Sequence, residues 1–230
     1  MSRFSALTTP HLADACVRLG IPVRCAPAEL QSLVAGQRVF GRAVPARHVG
    51  SVDVFLEAIE LAAPGDVLVA DNGGRRDESC IGDLMAQEAA SAGLGGIVIW
   101  GLHRDTVDIE AIGIPLFSTG SIPTGPLSVS ARPEGALASA HVGEWTLTRD
   151  DWVAGDEDGV LFLPADRVDE ILTTAEGIRD TERRQADLIR EGSRSLREQV
   201  DFAGFLAARA GHPGLTFREH LRSVGGEIEV

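Results

Sequence analysis

The sequence predicts an α/β protein: a layered sandwich of mixed β-sheet with flanking helices, followed by a helical C-terminal extension. Three observations carry this. Val67-Leu68-Val69-Ala70 and Ile97-Val98-Ile99-Trp100 are short, wholly apolar runs of strand length, the pattern of strands buried on both faces. Residues 53 to 62 and 83 to 92 repeat apolar residues at helical spacing, so helices and strands alternate. From Ala165 the texture changes, with Val168, Ile171, Leu172, Ala175 and Ile178 on one helical face between charged residues.

The elements follow in order. Residues 11 to 19 read as a helix, with Thr9 as N-cap, Pro10 at the first helical position and Gly20 as the stop. Residues 34 to 44 alternate loosely and read as a strand bent at Gly36 and Gly41. Val54, Leu56, Ala58, Ile59 and Ala62 mark the next helix. Pro64-Gly65-Asp66 is a turn, residues 67 to 70 form a strand, and Asp71-Asn72-Gly73-Gly74 ends it. A helix from about residue 83 to 92 carries Leu84, Met85, Ala89 and Ala92 on one side, and Gly93 closes it. A strand at 97 to 100, a short helix at 106 to 112 and a strand at 115 to 117 come next. Residues 145 to 147 and 160 to 163 read as late strands, joined through a turn-like stretch at 154 to 159. The last long helix runs to about Arg190, and residues 193 to 230 read as a charged helical tail suited to wrapping a neighbouring subunit.

Composition excludes several functions. The 230 residues carry a net charge of −13, which argues against nucleic acid, whose phosphates reward a basic face. No apolar run is long enough to span a membrane, and the first residues lack a signal-peptide core, so a cytoplasmic location is expected. Cys16, Cys25 and Cys80 form no CxxC pair, which leaves no disulfide framework and no thiolate metal site. His103 reads as a strand-end residue, and the other histidines show no ligand spacing. Gly93-Leu94-Gly95-Gly96 lies after a helix and before a strand, the wrong context for a dinucleotide fingerprint. There is no lysine among the 21 basic residues, so Schiff-base chemistry on lysine is excluded.

The chemistry concentrates in residues 82 to 108. Gly82 precedes a helix, so the amides of Gly82, Asp83, Leu84 and Met85 are helix-start donors that suit a carboxylate or phosphate. After about twenty residues a strand ends at Gly101 and delivers Arg104 and Asp105. A β-α-β unit of this length brings the helix start and the second strand end to one rim. Arg104 offers a planar donor fork for a carboxylate or keto oxygen. Asp105 and Asp83 offer hard oxygen ligands for Mg²⁺ or Mn²⁺, with Asp108 in an outer shell. Each also has a plainer reading: Asp83 and Asp108 as helix-start carboxylates, and Arg104-Asp105 as an ion pair at a strand end.

Asp83, twenty residues, then Arg104-Asp105 resembles the D-x20-R-D signature of class II pyruvate aldolases. These are the 4-hydroxy-4-methyl-2-oxoglutarate (HMG) and 4-carboxy-4-hydroxy-2-oxoadipate (CHA) aldolases, which share their fold with RraA, the regulator of ribonuclease E. Leu12-Ala13-Asp14-Ala15 with Gly20, Pro64-Gly65-Asp66-Val67 and Gly155-Asp156-Glu157-Asp158-Gly159-Val160 extend the resemblance over roughly residues 8 to 180. It implies an RraA-like fold of the swivelling β/β/α type over residues 1–192, with 193–230 as the helical extension. It implies a divalent metal, Mg²⁺ or Mn²⁺, a small 2-oxo acid substrate, and a homotrimer or hexamer with sites between subunits. By the same resemblance, the amides of Gly82 to Met85 bind the substrate carboxylate. Arg104 holds the 2-keto oxygen and stabilises the enolate, and Asp105 ligates the metal directly. Asp83 holds metal-bound water, one molecule of which serves as base, and Asp108 acts through water. The expected activity is carbon–carbon lyase chemistry that releases pyruvate, with oxaloacetate decarboxylation alongside. The alternative is a non-catalytic regulator that binds protein, as the ribonuclease E inhibitor does.

Overall fold

The computed structural model describes residues 3 to 225. Contacts divide them into two compact units, residues 3–10 with 23–169, and residues 11–22 with 170–225. The helices are α1 (Thr9–Arg18), α2 (Asp53–Glu60), α3 (Asp83–Ser91), α4 (Thr106–Ile112), α5 (Val168–Arg190), α6 (Leu196–Gln199), α7 (Phe202–Gly211) and α8 (Phe217–Val224). The strands are β1 (Arg24–Cys25), β2 (Gln31–Ser32), β3 (Val39–Arg47), β4 (Val67–Asp71), β5 (Ser79–Ile81), β6 (Gly96–Trp100), β7 (Leu102–His103), β8 (Leu116–Ser118), β9 (Ala140–Val142), β10 (Trp145–Leu147), β11 (Asp151–Asp156) and β12 (Gly159–Pro164).

In the first unit, eight strands form one mixed sheet in the order β1-β12-β11-β3-β4-β6-β8-β2. Strands β3, β4, β6 and β8 run parallel, linked by helical crossovers, and β1, β12, β11 and β2 join antiparallel at the two sides. Alternation along the central strands builds two cores, because successive side chains leave a strand on opposite faces. Leu68, Ala70, Ile97 and Ile99 pack with Phe55, Ala58, Ala86 and Ala89 of α2 and α3. Val67, Val69 and Val98 face the other way, with Ala140, Val142, Leu147, Val153 and Phe162. The β9–β10 hairpin covers that second face, where β9 packs on β3, β4 and β6. Hairpin, sheet and helices make the expected β/β/α layering.

Several expectations need correction. The strand read at 34 to 44 begins at Val39 and runs to Arg47. Thr9 lies inside α1, and its N–H and hydroxyl both donate to the buried Asp156 carboxylate, at 2.7 and 2.6 Å. The carboxylate therefore holds the first turn, an arrangement favoured by the helix dipole. The stretch read as a turn at 154 to 159 is mostly ladder: Ala154, Gly155 and Asp156 pair with Leu161, Val160 and Gly159, and only Glu157-Asp158 turn. Strand β11 went unread because Gly155 and its acidic neighbours resemble a loop, although Trp152-Val153-Ala154 precede them.

In the second unit, Ile171, Leu172, Ala175 and Ile178 of α5 are buried, as the helical face predicts. The segment after Ser193 is helical. Capping boxes open α6 at Ser195 and α8 at Thr216. Phe202, Phe205 and Phe217 cluster with ring centroids 5.0 to 5.8 Å apart. Residues 226 to 230, part of the predicted tail, lie outside the described residues.

Candidate active site

Two very short strands assemble the site. β5 and β7 pair in parallel, with Ser79 opposite Leu102 and Ile81 opposite His103. The Arg104 N–H donates to the Ile81 carbonyl at 3.0 Å. This ladder lays Gly82, which leads into α3, beside Arg104-Asp105, which lead into α4.

A side chain at position 82 would displace both residues from where they stand. A Cβ on Gly82 would lie 2.4 Å from Asp105 Oδ2 and 3.1 Å from Arg104 Nε. Through that gap the Asp83 N–H points at Asp105 Oδ2 over a long 3.4 Å. Arg104 Nε lies 3.3 Å from the same oxygen. Gly125 walls the far side, where a Cβ would come within 2.7 Å of Arg104 Nη1. Glycine at 82 and 125 thus leaves room for the guanidinium between two backbone segments.

Asp105 adopts the left-handed conformation, φ 59° and ψ 41°. It shares a positive φ with only one other described non-glycine residue, Asp201. Such a backbone costs on the order of 1–3 kcal/mol and gathers at functional sites. It turns the chain so that the carboxylate faces the start of α3 instead of capping its own helix.

Gly82, Asp83, Leu84, Met85 and Arg104, with Cys80, line a cavity of about 170 Å³. Gly82 has no side chain to cap α3, so no N-cap side chain satisfies the amides of Leu84 and Met85. Cys80 is 4% exposed, and burial pushes its thiol pKa up. Asp108 is exposed in the first turn of α4 and is not among the cavity-lining residues. The structure thus brings together five of the predicted residues and Asp105 beside them, and leaves Asp108 outside.

Sequence reading missed the supports. His103 is 3% exposed, with Nδ1 2.8 Å from the Ser118 hydroxyl and Nε2 3.1 Å from the Thr106 hydroxyl. Burial lowers its pKa, and it ties β7 to β8 and to the first turn of α4. Glu78 is 1% exposed, pairs with Arg75 at 2.9 Å and accepts the Leu127 N–H at 2.7 Å. Ser79 donates from both N–H and hydroxyl to the Thr124 carbonyl, at 2.9 and 2.8 Å. Together they fasten the segment carrying Gly125 over Arg104. Nothing in the sequence marks Glu78 as buried, since carboxylates are rarely so.

No group of three histidine, cysteine or acidic residues among the described residues forms a metal cage. One accessible carboxylate, Asp105, with Asp83 adjacent, fits an ion that keeps most of its waters, as Mg²⁺ does.

Fold and site together define a class: an α/β protein in which a helix start, an arginine and an aspartate meet at the ends of two short parallel strands. The RraA-like profile Aldolase/RraA matches residues 9–162, and the chain belongs to that family. A "Putative 4-hydroxy-4-methyl-2-oxoglutarate aldolase" of Laribacter hongkongensis is 34% identical over 144 residues, 59% of this chain and 88% of that one. Protein DlpA of Legionella pneumophila is 31% identical over 137 residues, 59% of this chain but only 22% of DlpA. The crystal structure of Streptomyces coelicolor RraAS2, described as an unusual member of the RNase ES inhibitor RraA family, superposes with a TM-score of 0.69. It is 25% identical and covers 79% of this chain and 92% of its own. No helix among the described residues is long and apolar enough to cross a membrane.

Proposed function

We infer that this protein is a divalent-metal-dependent lyase that cleaves a 4-hydroxy-2-oxo acid of the HMG or CHA type to pyruvate. Oxaloacetate decarboxylation, which passes through the same enolate, accompanies it. The observation that carries the reading is the contact of side-chain-free Gly82 with Arg104 and Asp105, which gathers a helix start, a guanidinium and a carboxylate. The aldolase names of relatives support it.

The amides of Leu84 and Met85 at the start of α3 bind the substrate carboxylate. Arg104 binds the 2-keto oxygen. Water held by Asp83 takes the proton from the 4-hydroxyl. The C3–C4 bond breaks, its electrons move to the keto group, and the enolate charge settles against Arg104 before C3 is protonated. Losing one such fixed donor typically costs about 3–4 kcal/mol of transition-state stabilisation. Asp105 would hold Mg²⁺ or Mn²⁺ as its direct ligand, and Asp108 would act through water. The ion would supply Lewis acidity at the keto oxygen and acidify bound water.

Leu84 and Val107, 79% and 77% exposed at the starts of α3 and α4, support a homotrimer or hexamer that covers them beside the site. The working location is the cytoplasm.

The test is pyruvate release from HMG and from oxaloacetate, coupled to lactate dehydrogenase, with Mg²⁺ or Mn²⁺ against EDTA. Metal-dependent release above the metal's own background supports the reading. No release from either substrate moves the assignment to a protein-binding regulator, the role that the description of RraAS2 suggests.

A further inference from the structure

A second cavity, of about 550 Å³, is walled by Arg47, His48, Asp71, Asn72, Trp100 and His141, none of which serves the reaction above. The carboxylates in its wall are already engaged. Asp71, 4% exposed, accepts the Gly73 N–H at Oδ1 and the His141 N–H at Oδ2, both at 2.9 Å. His141 Nδ1 lies 3.2 Å and Arg47 Nε 3.6 Å from that same Oδ2. Glu78, also in the wall, is spent on Arg75 and Leu127.

The groups left over lie in the same wall. Among the described residues, Arg47 Nη1 and His141 Nε2 have no partner; Arg47 Nη2 donates to His141 Nδ1 at 3.3 Å in the tautomer that leaves Nε2–H as a donor, and the His141 side chain is half exposed. Beside them His48 and Asn72, 6% and 4% exposed, meet through Nδ1 and Oδ1 at 2.8 Å. His48 Nε2 and Asn72 Nδ2 are buried with no partner. Whichever way the amide is turned, the pair keeps one donor and one acceptor over. Such unsatisfied buried groups are rare in a folded protein. Trp100 adds a flat apolar surface, its indole seated on Gly74, where a Cβ would come within 2.8 Å.

Charge narrows the ligand. Arg75 is held by Asp77 and Glu78 and Arg47 Nε faces Asp71, so the cavity has no second free cation for a dianion. One anionic oxygen matches the free Nη1 of Arg47. We propose that this cavity is a second binding site for a small monocarboxylate with a flat apolar body, held by Arg47 and His141 and laid against Trp100.

The experiment is saturation-transfer NMR on the full chain, with benzoate as probe and inorganic phosphate as comparator. Wild type, His141→Gln, the double variant Arg47→Gln/His141→Gln and Arg104→Ala are compared. Benzoate is expected to bind wild type and Arg104→Ala alike, and at least 10-fold more weakly to both cavity variants. Circular dichroism and melting check each fold. If the double variant melts early, the half-exposed His141→Gln decides. No benzoate binding to wild type overturns the proposal, and so does binding undiminished by the cavity variants. Loss only in Arg104→Ala overturns it as well, and phosphate binding as tight as benzoate overturns the monocarboxylate assignment. The readout is binding alone, so failure of the aldolase reading leaves it intact.

Discussion

Gly82 and Asp105 touch across the gap between two strand ends: a single methyl group on Gly82 would sit 2.4 Å from the Asp105 carboxylate. Gly82→Ala is therefore expected to push Asp105 and Arg104 out of place while α3 persists, since its φ of −125° suits any residue. A displacement near 1 Å costs about 100-fold in turnover. Steady-state pyruvate release beside circular dichroism checks this. Full activity in the alanine variant would falsify the importance of the approach.

Arg104→Ala is expected to lower kcat by about 10²–10³-fold even at saturating metal. Arg104→Lys should restore little, because an ammonium lacks the planar fork. If the alanine change altered only the apparent metal affinity, Arg104 would be miscast as the enolate's partner.

Asp105→Gly separates chemistry from stability. Glycine removes the proposed metal ligand and should abolish metal-dependent turnover. It also relieves the left-handed backbone, a gain of about 1 kcal/mol against the lost contact with the Asp83 amide. The melting temperature should hold or rise. A drop of several degrees would show that the carboxylate supports the fold.

Acid should weaken the fold through its buried histidines. His48 and His103 have pKa values held below the ordinary 6.5, in each case chiefly by burial. Below about pH 6.5 the unfolded chain takes up protons that the folded chain refuses, so stability present at pH 7.5 is lost as pH falls. Urea midpoints at pH 7.5 and 5.5 measure the slope, and His103→Gln should flatten it. An unchanged slope would mean that His103 is charged in the folded state.

Leu84→Asp/Val107→Asp should shift the assembly toward monomer in sedimentation velocity, if these apolar side chains are covered in a trimer. An unaltered sedimentation coefficient would place the interface elsewhere.

The sequence was most readable where periodicity runs long. Helix α5, Val168–Arg190, buries the face read from Ile171, Leu172, Ala175 and Ile178, and the wholly apolar run at 67 to 70 is a strand buried on both faces. Strands β5 and β7, three and two residues long, carry no period, yet they set Gly82 against Arg104. The D-x20-R-D spacing revealed which residues meet, because one β-α-β unit joins them. Gly125 and Glu78 stayed hidden, since a distant loop and an ordinary surface-type carboxylate show their role only when the backbone closes around them. Thr9 looked like a cap because capping is local. Its actual partner lies 147 positions away.

The left-handed turn at Asp105 has an evolutionary corollary. An aspartate codon becomes a glycine codon by one base change, and glycine is the residue that backbone prefers. On the function proposed above, that one change would remove the metal ligand and relieve the turn, whereas the reverse change would restore the strain. A lineage built on this turn can shed catalysis while keeping its architecture, which makes one scaffold a natural source of both enzymes and inert binding proteins.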